Sequence, residues 1–213
     1  MSYLNPQDGS PTYVVTFNHE QKDIDHMKKF IIDQFNKKDN ESAEDGKHHG
    51  SDQVRKSKII WFNDKAISNI LMTCMKIANY ETGWQYEITG HETLQMTRYD
   101  EGGEYNWHVD GDATAWGKKN FDFKNERKLT STLEPALLGT IRKLSASLII
   151  NDDFEGGHFE TMRLGDGKVI KSKVEAKPGS AIIFPSYVTH RVTPVTKGTR
   201  YSIVVWFAGP PFK

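Results

Sequence analysis

The sequence predicts a mainly β chain, a jelly-roll sandwich or barrel with helices packed on one outer face, and three observations carry that prediction. From about residue 84 onward, short runs with strand-like alternation recur, each closed by Gly, Pro, Asn or Asp, which is the punctuation of an antiparallel sheet. Helical periodicity is confined to the first third. The 213 residues suffice for one domain with a sizeable core. Residues 1–213 are therefore read as one domain, with 1–83 as helical support and a polar loop and 84–213 as the β core.

Taken in order, Ile24, Met27, Ile31, Gln34 and Phe35 follow helical spacing. Ile67, Ile70, Leu71, Cys74, Ile77 and Ala78 do so again, with Asn63 placed to cap the second helix. Residues 37–57 between them are almost wholly polar and read as a surface loop. His48 and His49 stand there side by side, and adjacent residues in a solvated loop rarely converge on one ion. The strand candidates are YEITGHETLQMTRY, LSASLIIN, GHFETMRL, KVIKSKVEA, SAIIFPS, HRVTPV and TRYSIVVWFA. Phe154, Glu155, Gly156, Gly157 and His158 read as a turn, because glycine supplies positive backbone angles. Residues 111–140, with Trp116, Phe121 and Pro135, fit no strand pattern and read as a long connection over the barrel mouth, in the position of a lid.

Composition narrows the function classes. Lysine plus arginine number 28 and aspartate plus glutamate 28, so no global field attracts nucleic acid or anionic lipid. The single cysteine, Cys74, lies in an apolar helical pattern, which excludes an internal disulfide and argues against a zinc-thiolate site. No run approaches the ~20 apolar residues that span a bilayer, and the N-terminus lacks a basic start followed by an apolar stretch. A soluble, cytoplasmic protein is the expectation.

The stretch YDEGGEYNWHVD carries the chemistry. In an extended strand, side chains at i and i+2 share a face, so His108 and Asp110 converge on one spot. Imidazoles with a carboxylate and open positions favour non-haem iron(II), whose facial triad takes two histidines and one acid. The second histidine is expected at His190, on a later strand. His19, His26 and His91 precede the pair in helical or turn sequence, and His158 is held in reserve. Arg200 lies on the strand that follows His190, past a turn at Thr196, Lys197 and Gly198, and its fork can grip a carboxylate. Ser202, two residues on, points the same way and adds a hydroxyl. The ligand implied is a small dicarboxylate that also chelates the metal.

These residues resemble the iron(II) and 2-oxoglutarate-dependent dioxygenases, specifically the prolyl 4-hydroxylase-like branch. Tyr99, Gly102, Tyr105, His108 and Asp110 resemble its spacing Y-x2-G-x2-Y-x2-H-x-D. KPGSAIIFPSYVTHRVTPVTKGTRYSIVVW resembles its closing block, so the likeness spans roughly residues 94 to 207. The resemblance implies a double-stranded β-helix, a cupin-like barrel. In it His108, Asp110 and His190 bind Fe(2+), while Arg200 binds the distal carboxylate of 2-oxoglutarate with help from Tyr99 and Ser202. Many prolyl 4-hydroxylases use lysine at the basic position, and arginine can perform the same electrostatic task.

The same resemblance implies O2 as co-substrate, ascorbate as an accessory cofactor, and release of succinate and carbon dioxide. The substrate is expected to be a peptide, modified at a proline. Tyr105 and Trp206 are the expected substrate-lining aromatics, and Trp107 should face away from His108. Two alternatives stay open: hydroxylation of a free amino acid or small metabolite, and a non-enzymatic cupin-like module that only binds metal.

Overall fold

The last strand, Arg200–Gly209, is buried along nearly its whole length, so it needs a cover on each face. The chain supplies helices on one side and a second sheet on the other. The computed structural model describes residues 2–4, 11–16, 20–38, 55–111, 137 and 140–212. Among these run β1 (Ser2–Leu4), β2 (Tyr13–Thr16), α1 (Gln21–Lys38), β3 (Arg55–Lys56), β4 (Lys58–Phe62) and α2 (Lys65–Glu81). Then follow β5 (Gly90–His91), β6 (Leu94–Tyr99), β7 (Glu104–His108), β8 (Ile141–Ile149), β9 (Phe154–Gly156) and β10 (Phe159–Gly165). β11 (Lys168–Lys173), β12 (Ser180–Pro185), β13 (Thr189–Val192), β14 (Val195–Gly198) and β15 (Arg200–Gly209) complete the order.

The major sheet runs β1-β2-β12-β8-β15-β6-β4, with β5 against the far end of β15, and the minor sheet runs β11-β10-β13-β7-β3. A separate ribbon pairs β9 with β14. The two facing antiparallel sheets form the expected double-stranded β-helix. Outside the major sheet, Leu144, Ala146 and Leu148 of β8 and Tyr201, Ile203, Val205 and Phe207 of β15 meet Ile31 and Phe35 of α1 and Ile67, Leu71, Cys74, Met75 and Ala78 of α2. Each such large side chain contributes on the order of 1.5–3 kcal/mol on burial. Between the sheets lies a second cluster that includes Tyr99, Ile149, Phe159, Phe184 and Val192. Cys74 is fully buried and free, and burial pushes its thiol up to about 12.

Both expected helices are present, but the cap is Asp64 rather than Asn63. Its extended backbone lets the carboxylate accept from the Ile67 N–H at 2.9 Å. The first third is also more than helix and loop, because β2 and β4 belong to the major sheet and β3 to the minor one. Residues 196–198 are not a turn but part of β14; Gly198, at φ +80°, leads into β15. Phe154–Gly156 is likewise a short strand, and the turn falls on Gly156 and Gly157, both at positive φ. His19, His48 and His49, and most of 37–57 and 111–140 with Trp116, Phe121 and Pro135, lie outside the described residues. No helix among the described residues is long and apolar enough to cross a membrane.

Candidate metal centre

One irregularity in strand pairing and one glycine turn aim the site residues. Across β7 and β13, His108 pairs with His190 but Tyr105 pairs with Val192, so β7 carries one extra residue. That bulge lets Tyr105 and His108, three apart, both face inward. Trp107 is turned outward as expected and is half-buried beneath the Arg191 guanidinium, 4.6 Å from the ring centre. Gly102, at φ +73°, makes the turn that returns β6 into β7, its N–H donating to the Val195 carbonyl at 2.8 Å.

His108, Asp110 and His190 converge, their ligand atoms all within 4.8 Å of one another. The Nδ1–H of His108 donates to the Asn106 carbonyl at 2.7 Å and that of His190 to the Val188 carbonyl at 2.8 Å. Those bonds fix the tautomer and leave both Nε2 lone pairs free, as in imidazoles that ligate metals. Each Nε2 lies 3.6 Å from an Asp110 carboxylate oxygen, too far for a hydrogen bond. The Asp110 side chain is only 8% exposed. Burial pushes its carboxyl up, but His190, His108 and Arg142 outweigh that and hold it well below the usual carboxylate range. Burial pulls His190 the other way, toward its neutral form. An anionic acid beside free imidazole lone pairs is the arrangement that accepts a divalent cation.

The cluster is walled by rings. Tyr105 stacks on His108 at 3.5 Å between ring centres, and Phe184 and Phe159 flank His190 at 4.6 and 5.4 Å. Burial pushes the Tyr105 hydroxyl up to about 12, so it stays protonated.

Arg200 begins β15 opposite Tyr99, the last residue of β6. It is 2% exposed, donates to the Ser202 hydroxyl at 3.0 Å, and lies 5.4 Å from the centre of the Tyr99 ring. Burial lowers its pKa, and among the described residues no carboxylate forms an ion pair with it. The structure thus brings Arg200, Ser202 and Tyr99 together on the inner face. Trp206, further along the same face, is buried with its indole N–H lacking a partner among the described residues and its ring under the Arg142 guanidinium at 4.1 Å. His158 is exposed and stands outside the cluster, so the reserve ligand is not needed. His26 lies on α1 and His91 on β5, and neither joins the triad.

Three site residues escaped the reading of the sequence. Arg55 falls in the polar stretch 37–57, yet it is on β3, bonded to Gln95 at 2.8 Å and lying 4.8 Å from the centre of the Tyr105 ring. Glu92 and Arg142 form a bidentate ion pair beside Asp110. Neither pair carries a motif, because each joins strands distant in sequence.

Residues 94–208, more than half of the chain, match the family model described as the 2OG-Fe(II) oxygenase superfamily. A PKHD-type hydroxylase of Alteromonas mediterranea is 32% identical over 111 residues, which are 52% of this chain and 41% of that protein. Human prolyl 3-hydroxylase 2 is 40% identical over 74 residues, 34% of this chain and 10% of that one. The chain therefore spans well under two thirds of these relatives. Among solved structures, a Pseudomonas putida prolyl-4-hydroxylase superposes with a TM-score of 0.61 at 17% identity, covering 95% of this chain and 94% of that one. A Trichoplax adhaerens prolyl hydroxylase, in complex with a hypoxia inducible factor peptide fragment, gives 0.65 at 15% identity, covering 95% and 85%. At such identities these two likenesses establish the fold.

Proposed function

The chain belongs to the 2OG-Fe(II) oxygenase superfamily, and from that premise we propose that it is a hydroxylase acting on a peptidyl proline, with His108, Asp110 and His190 as the iron ligands. The observation that carries the ligand assignment is the pair of Nδ1–H bonds to main-chain carbonyls, which turn both Nε2 atoms toward one buried carboxylate. The donor set fits the ion: two neutral imidazoles and one acid occupy part of its coordination sphere and leave the rest open. Iron(II) bound there supplies dioxygen activation, coupled to decarboxylation of 2-oxoglutarate to succinate and carbon dioxide.

The chain's own residues orient and shield. Arg200, a buried cation with no carboxylate partner among the described residues, is assigned the distal carboxylate of 2-oxoglutarate, with Ser202 and Tyr99 completing the cradle. Phe159, Phe184 and Tyr105 exclude water around the histidines. Trp206 offers an N–H that has no partner among the described residues to a substrate carbonyl, and Tyr105 supplies an apolar wall on the His108 side. Peptidyl proline is favoured because both prolyl 3-hydroxylases and prolyl 4-hydroxylases are among the similar proteins.

The deciding experiment incubates the protein with iron(II), 2-oxoglutarate, ascorbate and proline-containing peptides, with free proline in parallel. A gain of one oxygen atom on peptidyl proline is the expected mass change, and amino-acid analysis then distinguishes C3 from C4. Turnover of free proline with untouched peptides sinks the peptidyl assignment and leaves the iron chemistry standing.

A further inference from the structure

The geometry points to a positioning device beside the metal centre: the Glu92–Arg142 ion pair holds the main chain of Asp110 so that its carboxylate faces the two imidazoles. The inference rests on the assignment of His108, Asp110 and His190 as ligands. Asp110 lies past the end of β7, so no strand ladder fixes it. Its N–H and that of Gly111 donate to the Ser186 carbonyl at 2.9 and 3.0 Å. Its own carbonyl accepts from Arg142 Nη1 at 3.0 Å. The ligand is thus gripped on both sides of its α-carbon.

Both grips are themselves anchored. Ser186 donates its N–H to the Lys143 carbonyl at 3.0 Å, and its hydroxyl meets that of Ser145 at 3.0 Å. Arg142 gives Nε and Nη2 to the Glu92 carboxylate at 2.5 and 2.6 Å and stacks on Trp206. With that edge of the fork committed, Nη1 is aimed at Asp110. Only a guanidinium satisfies both partners in one plane; an ammonium is a point charge.

The backbone is shaped for this contact. Strand parity would put Arg142 on the face of Leu144, toward the helices. Instead Phe207 pairs with Leu144 and Ala208 with Arg142, so β8 carries an extra residue and Arg142 turns inward. Bulges that re-aim a side chain are a recurring device next to active sites. Gly111 belongs to the same arrangement, since a Cβ there would come within 3.1 Å of the Arg142 Cβ and 3.4 Å of the Ser186 Cβ.

Cobalt(II), titrated into metal-free protein and followed by its visible absorption, tests this without turnover. Glu92→Gln and Arg142→Lys are expected to weaken cobalt binding by about 10- to 100-fold and to alter the absorption bands. Cobalt affinity and spectrum matching the parent in both variants, even with a lower melting temperature, would make the pair a structural staple only and overturn the inference. If Arg142→Lys does not fold, Glu92→Gln, which keeps the side-chain shape, decides alone. Parent protein that binds cobalt no more tightly than His108→Ala would instead bring down the ligand assignment, and this inference with it.

Discussion

His108 and His190 stand opposite each other on β7 and β13, register partners with ring centres 4.1 Å apart and each Nδ1 tied to a carbonyl of its own segment. Because those ties are to main chain, the rings keep their aim without a metal, and removing one ligand should leave the fold intact. His108→Ala, Asp110→Ala and His190→Ala are each expected to reduce succinate formation at least ~100-fold while retaining a cooperative melt. Full turnover in any one variant removes that residue from the triad.

Arg200→Ala addresses the co-substrate. A charge-assisted fork to a carboxylate is worth on the order of 1.5 to 3 kcal/mol, so affinity for 2-oxoglutarate should fall roughly 10- to 100-fold. Iron affinity should change little, because Arg200 bonds to Ser202 and not to the triad. Calorimetry on metal-loaded protein reads both, and an unaltered 2-oxoglutarate dissociation constant refutes the role.

Acid should destabilise the metal-free chain from the ordinary histidine range downward. Burial is the largest influence on His190 and pulls it below 6.5; Asp110 and the Val188 carbonyl oppose the shift, and His108 adds to it. A histidine that stays neutral when folded but takes a proton when unfolded gives stability fully present above about pH 6.5 and lost as the pH falls below it. Denaturant unfolding between about pH 7.5 and 5 checks the sign, and His190→Gln should flatten the dependence. A stability that rises on acidification is incompatible with this picture.

Leu71 separates fold from chemistry. It is fully buried under the outer face of the major sheet, away from the triad. Leu71→Ala should cost about 2–5 kcal/mol, read by chemical denaturation. Turnover per folded molecule should be unchanged.

The fold was legible where one face of a strand differs from the other, or where long apolar runs such as SAIIFPS and TRYSIVVWFA end at turn residues. β2 escaped because YVVT is four residues long and nearly continuous in burial, with no alternation to read. His108 and Asp110 were legible because H-x-D needs only local spacing, whereas His190 lies 80 residues on and was legible only as the histidine of a later strand within the closing block. Arg142 was not, since the bulge opposite Ala208 reverses the parity on which spacing arguments depend. Glu92 and Arg55 act through partners on other strands, and no single segment contains those pairs.

Cys74 equips the molecule with an internal gauge of its own opening. The chain has one thiol, sealed beneath α2 and pushed up to about 12, so it is neither exposed nor ionised while the helix stays docked. Alkylating reagents can reach it only when α2 lifts off the sheet, and labelling then counts those excursions one molecule at a time.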